Sequence, residues 1–364
     1  MLDIQLTRPL APRYRPSFTL IELLVVVAII GIMSSMVLYT LAGAQTDAKV
    51  SLTRSTIEKL NAVILEEWEG FRYRAARIDI DPDMLRPQLA DGQPLLRPRE
   101  GARLRMFVLR DLMRMELPDR MSDLVYSPAY YSATLSNGAT YSVVNRIAPG
   151  KYNSLRQRIG IAPLIGGGYT DVVKAIYRLP VSGPQTPPPD FNVEFQGAEM
   201  LYQIVASSTH GGGSALEAFR PTEIGDVDGD GLPEFLDAWG VPIRWLRWPA
   251  GYASPLNDTT SPDAMDPLRS DLRWRDGNYT QKPWQLVPLI ISAGPDGVFD
   301  VSFDIQDSSG AGIAYATNLD PYVGSYDTDG SWLGMGLGAN IDEDSSGNFS
   351  AADDNITNYS LLLE

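Results

Sequence analysis

The feature that most constrains this chain is an apolar run near its start. From residue 18 to residue 44 the only ionisable side chains are Glu22 and Tyr39. A helix of about 20 apolar residues is long enough to span a bilayer, and this run is longer. A buried core helix is the alternative, but an uncharged run of this length is rare in a soluble core. The run therefore predicts a membrane-spanning helix over residues 18–44.

The segment before the run, residues 1–17, is polar and basic. It carries Arg8, Arg13 and Arg15 against a single acid, Asp3, and its prolines oppose helix formation. Positive residues that flank a span stay on the cytoplasmic side, so the N-terminus is predicted to be cytoplasmic and the bulk of the chain extracytoplasmic. An ordinary secretory signal has an apolar core of only about 7–15 residues, which excludes that class of leader.

The junction of leader and run has a recognisable sequence, in which Ser17, Phe18 and Glu22 are followed by Leu-Leu-Val-Val-Val-Ala-Ile-Ile-Gly-Ile. It resembles the class III signal of type IV pilins and type II secretion pseudopilins. The resemblance implies that a prepilin peptidase cuts between Ser17 and Phe18 and that the new amino group of Phe18 is N-methylated. The family usually has Gly before the cut, whereas this chain has Ser17.

Glu22 is the one acid inside the predicted span. A lone carboxylate at the centre of a membrane helix costs about 2.5–3.5 kcal/mol on insertion scales, so a partner is expected. The resemblance supplies one, the amino terminus of Phe18 on a neighbouring subunit of a helical fibre. That pair would also set the axial register between subunits. A Glu22 that is simply protonated in the membrane is the alternative.

A second helical pattern follows the span. Apolar residues recur at spacings of three and four and predict a stalk helix over residues 45–78, whose stripe packs on a globular part. That stripe consists of Ile57, Leu60, Ile64, Trp68 and Phe71. Pro82 marks the end of the pattern.

Residues 79–190 form an insertion region of unknown fold. A basic helix is predicted over residues 100–117, and its arginines are expected to solvate one face rather than to contact a membrane surface or an acidic partner. They are Arg103, Arg105, Arg110 and Arg114. Residues 130–144 predict a β-hairpin, because Asn137-Gly138 lies between arms rich in Tyr, Thr and Val.

The C-terminal part, residues 191–364, is predicted to be an acidic head. From residue 222 onward acids outnumber bases 24 to 6, although the whole chain has a net charge of only −15. Phosphates would be repelled there, which argues against nucleic-acid binding. Divalent cations are the natural partner, and a merely solvated acidic surface is the alternative. Residues 198–209 are predicted to form a short apolar helix.

One acidic loop has the spacing of an EF-hand calcium loop. Side-chain oxygens stand at its positions one, three, five, nine and twelve, and Gly231 takes the sixth, where a sharp turn is required. These five candidate calcium ligands are Asp226, Asp228, Asp230, Glu234 and Asp237. An Asp/Gly-rich turn that holds no metal is the alternative.

The order of motifs after this loop resembles the major pseudopilin of type II secretion. Asp237-Ala-Trp-Gly-Val-Pro is followed by Ser292-Ala-Gly-Pro-Asp-Gly and, near the end, by Asp353-Asp-Asn-Ile. The resemblance implies a second calcium site, with candidate ligands Asp296, Asp300, Asp353 and Asp354. A further EF-hand spacing begins at Asp342 and Asp344 and ends at Asp353.

Together these patterns predict an α+β protein, in which a long N-terminal transmembrane and stalk helix packs on an antiparallel-sheet head with large loop insertions. The resemblance implies a structural subunit that polymerises through its N-terminal helix into a pseudopilus or pilus, that of a type II secretion system, with a calcium-stabilised extracytoplasmic head. The partners that the resemblance implies are copies of itself, other pseudopilins, prepilin peptidase and an assembly platform in the inner membrane. A minor pilin acting as an adhesin is one alternative. A membrane-anchored hydrolase is another, although the chain has no Cys and one His. We therefore predict that it is not an enzyme.

Overall fold

The computed structural model describes residues 19–76, 85–86, 91–92, 94, 97–125, 129–134, 140–144, 150–161, 170–171, 194–303, 320–322, 324–326, 329–334, 336–341 and 354–363. The chain divides into two compact units, Met1–Ala48 and Lys49–Glu364, and we call the second the head unit. Helix α1, Leu20–Tyr73, begins in the first unit and ends in the second.

Within the head unit, α1 buries one stripe of apolar side chains, as predicted. Ile57, Leu60 and Ile64 have no exposed surface, and Trp68 and Phe71 also lie in the core. The helix ends at Tyr73 rather than at residue 78. Just beyond that end, Arg74 forms a two-point ion pair with Glu116.

Four further helices of the head unit are α2 (Pro98–Glu116), α3 (Met121–Val125), α4 (Gly150–Arg158) and α5 (Gln196–Ser207). The predicted helices at 100–117 and 198–209 are confirmed as α2 and α5. Apolar side chains from all four join the α1 stripe in one core. Parts of the insertion region thus share a core with the acidic C-terminal part.

The prediction that the arginines of α2 solvate one face is wrong for Arg110 and Arg114, which are buried. Arg110 pairs with Asp263 at 3.1 Å and with Asp271 at 3.2 Å. Arg114 pairs with Asp111 at 2.9 Å. A buried charge is tolerated only when it is paired, and here the acids that pair with Arg110 come from distant parts of the chain.

The first sheet contains β1 (Ala129–Thr134), β2 (Thr140–Val144) and β3 (Thr170–Asp171) in the order β2-β1-β3. Strands β1 and β2 are antiparallel, while β3 is parallel to β1. The predicted hairpin is therefore confirmed, and its Asn137-Gly138 turn lies outside the described residues.

Two short antiparallel hairpins connect α5 to the rest of the head unit. The first pairs β4 (Thr209–His210) with β5 (Gly213–Ser214), and the second pairs β6 (Ile224–Gly225) with β7 (Glu234–Phe235). Single 3-10 turns at Ala215–Ala218 and Pro221–Glu223 lie between them. The loop of the second hairpin contains the predicted calcium ligands Asp226, Asp228 and Asp230, while Glu234 begins β7 and Asp237 follows it.

The last sheet has the order β10-β9-β8 and is antiparallel throughout. Its strands are β8 (Arg244–Leu246), β9 (Leu289–Ser292) and β10 (Ile356–Thr357), and helix α6 (Asn358–Leu363) follows. Strand β9 is central and wholly buried, which fits its unbroken Leu-Ile-Ile-Ser sequence. The architecture is α+β, as predicted.

Candidate metal centre and N-terminal motif

Glu22 lies in the first turn of α1 and caps it together with Thr19. The backbone N–H and the hydroxyl of Thr19 donate to Glu22 Oε2 at 2.9 and 2.8 Å, and the Glu22 N–H donates back to Thr19 Oγ1 at 3.3 Å. This reciprocal pair satisfies N–H groups at a helix start, where a carboxylate is also favoured by the helix dipole. Ser17 and Phe18 lie outside the described residues.

The first half of α1 exposes its apolar side chains. No residue of its most apolar 18-residue window is buried, and Leu20, Ile32 and Met36 are each more than two-thirds exposed. By length and composition this helix is suited to crossing a membrane. Such a surface requires a lipid or protein environment, because large exposed apolar patches are rare in soluble monomers.

The acidic loop begins with a tight turn around Asp226. Its Oδ1 accepts from the N–H of Gly229 at 2.7 Å and its Oδ2 from the N–H of Gly231 at 3.1 Å. Both glycines have positive φ, +77° and +91°, which side-chain-bearing residues rarely adopt. Gly231 therefore makes the sharp turn that its sixth position in the loop predicted.

Asp228 and Glu234 each accept a backbone hydrogen bond with one carboxylate oxygen. Asp228 Oδ1 accepts from the N–H of Asp230 at 3.3 Å, and Glu234 Oε2 accepts from the N–H of Val227 at 3.1 Å. The second oxygens, Asp228 Oδ2 and Glu234 Oε1, are buried and have no hydrogen-bond partner within the described part of the chain. One oxygen of each carboxylate thus holds the loop and the other faces inward.

These acids form two groups that share Asp228. In the outer group, carboxylate oxygens of Asp226, Asp228 and Asp230 lie within 4.8 Å of one another. In the inner group, the same separation holds for Asp228, Glu234 and Glu199, and the last of these comes from helix α5. Four of the five predicted loop ligands are therefore brought together, with a fifth acid that the prediction missed.

Glu199 is the unexpected member of the inner group. It has no exposed surface, and neither carboxylate oxygen has a hydrogen-bond partner among the residues described. Its neighbours along α5, Ala198, Met200 and Leu201, are all core residues. A lone acid in an otherwise apolar helix was the signal in the sequence that could have revealed it.

Burial and crowding with other acids disfavour charge in this inner group. Burial raises the pKa of Glu199 to about 9, and the nearby charges of Asp230, Asp228 and Glu234 add to the rise. Burial likewise raises the pKa of Glu234 to about 7, against the lowering effect of the Val227 N–H. These shifts favour protonated carboxyls in the inner group, which has no basic partner among these residues.

Asp237, the predicted twelfth ligand, is placed elsewhere. Its Oδ2 accepts from Ser292 Oγ at 2.7 Å, and its Oδ1 accepts from the N–H groups of Trp239 and Val241, both at 2.9 Å. Burial raises the pKa of Asp237, although these hydrogen bonds oppose the rise. Asp237 therefore belongs to neither acidic group. The loop connects two β-strands and not the two helices of an EF-hand.

The second predicted site is partly described. Burial raises the pKa of Asp354, and the charges of Asp296 and Asp300 add to the rise. Gly294 packs so closely that a Cβ there would clash with the carbonyl oxygen of Asp354. Within the described ranges these three acids do not form a group as tight as those above. Outside the described residues lie Asp342, Asp344 and Asp353.

The comparisons with known proteins identify one segment of the chain, at its N-terminal end. Residues 13–38 match the family model described as the prokaryotic N-terminal methylation motif. A search of curated proteins found no match, and neither did a search of solved structures. The match covers the junction of leader and α1, and together with the long apolar helix it is consistent with a type IV pilin-like protein.

Proposed function

We propose, from the premise that residues 13–38 carry the prokaryotic N-terminal methylation motif, that this chain is a structural subunit that polymerises through α1. The observation that carries the proposal is the position of the motif, which runs directly into a helix whose apolar side chains are exposed. The motif is a signal for processing and assembly, and the exposed surface gives neighbouring helices something to pack against.

The residues of the motif have separate roles in this proposal. Prepilin peptidase cuts between Ser17 and Phe18, and the new amino terminus of Phe18 is N-methylated. In the assembled fibre the carboxylate of Glu22 in one subunit pairs with that amino group of its neighbour, so that neither charge remains alone in the membrane. Thr19 caps Glu22 within the subunit, and this contact holds the carboxylate at the start of the helix.

The setting we propose is a pseudopilus of a type II secretion system, anchored in the inner membrane. The basic leader lies in the cytoplasm and the head unit is extracytoplasmic. Other pseudopilins and an inner-membrane assembly platform are the partners that such a fibre requires. The head is stabilised by calcium, bound at the acidic loop that contains Asp226, Asp228 and Asp230, whose carboxylates suit a hard cation.

A catalytic role is less well supported than a structural one. The chain has no Cys, and its single His, His210, pairs with Glu66 at 2.9 Å on the exposed side of α1. The acids of the loop accept hydrogen bonds from turn backbone, an arrangement that suits ligands of a cation. The motif likewise points to a structural subunit.

The proposal is tested with Glu22→Ala in the native host. The variant should fractionate with membranes as the parent does, but its incorporation into sheared filaments should fall at least about tenfold, the factor that 1.4 kcal/mol represents. Glu58→Ala, which changes an exposed acid on the same helix, should assemble normally. Mass spectrometry of the assembled subunit should give a chain that starts at methylated Phe18. Unaltered assembly of Glu22→Ala would contradict the proposed role of this residue.

A further inference from the structure

We propose that Glu199, Asp228 and Glu234 form an inner divalent-cation site, of the calcium type, that fastens helix α5 to the loop of the β6–β7 hairpin. The inference deepens the calcium-stabilised head and rests on that part of the proposed function. It differs from the loop site predicted by sequence spacing, because its deepest ligand comes from a helix outside the loop.

The first argument is the state of Glu199. A buried carboxylate is costly unless it is paired and hydrogen-bonded, and this one has neither kind of partner within the described ranges. The groups nearest to it are acids, which make the cost larger. A cation held between the carboxylates supplies the partner that Glu199 lacks and offsets the repulsion between the acids.

The second argument is convergence of unused oxygens. Both oxygens of Glu199, Oδ2 of Asp228 and Oε1 of Glu234 are buried without a hydrogen-bond partner among the described residues. The three carboxylates approach one another within 4.8 Å. The loop backbone has already bonded the remaining oxygens of Asp228 and Glu234, so the ligand atoms are held in place before a cation arrives.

The third argument concerns which cation fits. All donors are carboxylate oxygens, which hard cations prefer, whereas the common zinc sites include at least one Cys or His. The chain has no Cys and its one His is bonded to Glu66. Calcium takes six to eight oxygens in flexible geometry, while magnesium requires a near-ideal octahedron. A site that takes its carboxylates from a loop, a strand and a helix therefore suits the flexible coordination of calcium.

The site has a consequence for the rest of the head unit. The segment just before β6 contacts α1 through Glu223, which accepts from Thr56 Oγ1 at 2.8 Å and from Lys59 Nζ at 2.9 Å. Just after β7, the N–H of Ala238 donates to Thr53 Oγ1 at 3.1 Å. A cation that fixes the hairpin on α5 therefore also steadies the two segments that hold this part of α1.

The experiment uses the full chain purified in detergent and stripped with chelator. Calcium and magnesium are titrated by calorimetry, and melting is followed with and without each cation. Glu199→Gln removes one ligand charge at almost constant shape, so its calcium affinity should fall about tenfold or more. Glu217→Gln, an exposed acid outside both groups, is the matched control and should bind as the parent does.

The melting curves give a readout that a merely structural Glu199 would not. Without calcium, Glu199→Gln should melt close to the parent temperature, because an amide of almost the same shape replaces a buried carboxyl that has no hydrogen-bond partner among the described residues. With calcium, the parent should gain several degrees and the variant much less. If Glu199→Gln does not fold, Asp228→Asn is measured in its place.

Two results would overturn the inner site. One is the absence of calcium binding to the parent, and the other is equal calcium affinity of the parent and Glu199→Gln. Neither result bears on the assembly of Glu22→Ala in cells, so failure of the site and failure of the filament proposal are separable. A preference for magnesium over calcium would overturn the assignment of a calcium-type site.

Discussion

Ser292 donates a hydrogen bond to Asp237 across the head unit, with 2.7 Å between Oγ and Oδ2, and both residues are buried. The bond joins the segment after β7 to the end of β9. Asp237→Ala would leave the Ser292 hydroxyl and two backbone N–H groups without their hydrogen-bond acceptor. We therefore expect the free energy of unfolding to fall by about 2–3 kcal/mol. Chemical unfolding followed by tryptophan fluorescence measures this loss.

The same variant separates a structural acid from a ligand. Calcium affinity of Asp237→Ala should equal that of the parent, because the carboxylate is already bonded to Ser292 and to backbone N–H groups. Asp237→Asn is the control, since its amide can still accept from the backbone and bond the hydroxyl. A tenfold loss of calcium affinity in Asp237→Ala would restore this residue as the twelfth ligand.

The α1 stripe in the head unit makes a second prediction. Leu60 has no exposed surface, whereas Leu52, on the same helix, is 51% exposed. Leu60→Ala should lower the free energy of unfolding by about 2–5 kcal/mol, because it leaves a cavity. Leu52→Ala should change it by no more than about 0.5 kcal/mol. Equal losses in the two variants, measured by chemical unfolding, would mean that the stripe does not face the core.

Local patterns in the sequence predicted those features that local forces decide. The spacing of Leu60 and its neighbours identified the buried stripe of α1, because helical geometry alone places such residues on one face. Asp226, Gly231 and the acids between them were predicted to converge, since Asx-type turns and positive-φ glycines shape the loop without help from other elements. The loop part of the candidate site was therefore accessible from the sequence.

Contacts between distant parts of the chain were not accessible in this way. The prediction that Asp237 is the twelfth ligand was wrong, because the loop belongs to a β-hairpin in which Phe235 pairs with Ile224. Glu199 was missed because a helix before the loop brings it there. Arg110 was expected in solvent, but the acids that allow its burial, Asp263 among them, lie far along the chain. Single-sequence spacing contains no information about such partners.

A third prediction concerns how calcium changes local motion. Hydrogen exchange should slow on calcium addition in residues 224–235 and in α5, because the cation joins these two elements. Strand β9 should not respond, since it is buried already. Asp228→Asn should abolish the difference in both elements. Slowing spread evenly over the head unit, or confined to the loop without α5, would contradict the helix-to-loop bond.

The last prediction is an acid-labile network around α2. Asp271 is buried between Arg110 and Arg273, with 3.2 Å to Arg110 Nη1 and 3.0 Å to Arg273 Nε. Burial alone would raise the pKa of Asp271, but these two charges together hold it well below its usual range. Asp119 behaves alike, because Arg247 and Arg120 outweigh burial and lower its pKa to about 2.

A carboxyl whose pKa is lower in the folded state contributes stability that is fully present above its unfolded pKa of about 3.9 and is lost as the pH falls through its folded pKa. The free energy of unfolding should therefore decline between about pH 4 and pH 2.

Asp271→Asn should lose about 3–5 kcal/mol of unfolding free energy at neutral pH, because Arg110 and Arg273 lose a buried partner, and should show a shallower decline in acid. Asp276→Asn, an exposed acid in the same segment, should follow the parent curve. Denaturant unfolding at closely spaced pH values tests this, and parallel curves for the parent and Asp271→Asn would refute a role for Asp271 in the acid response.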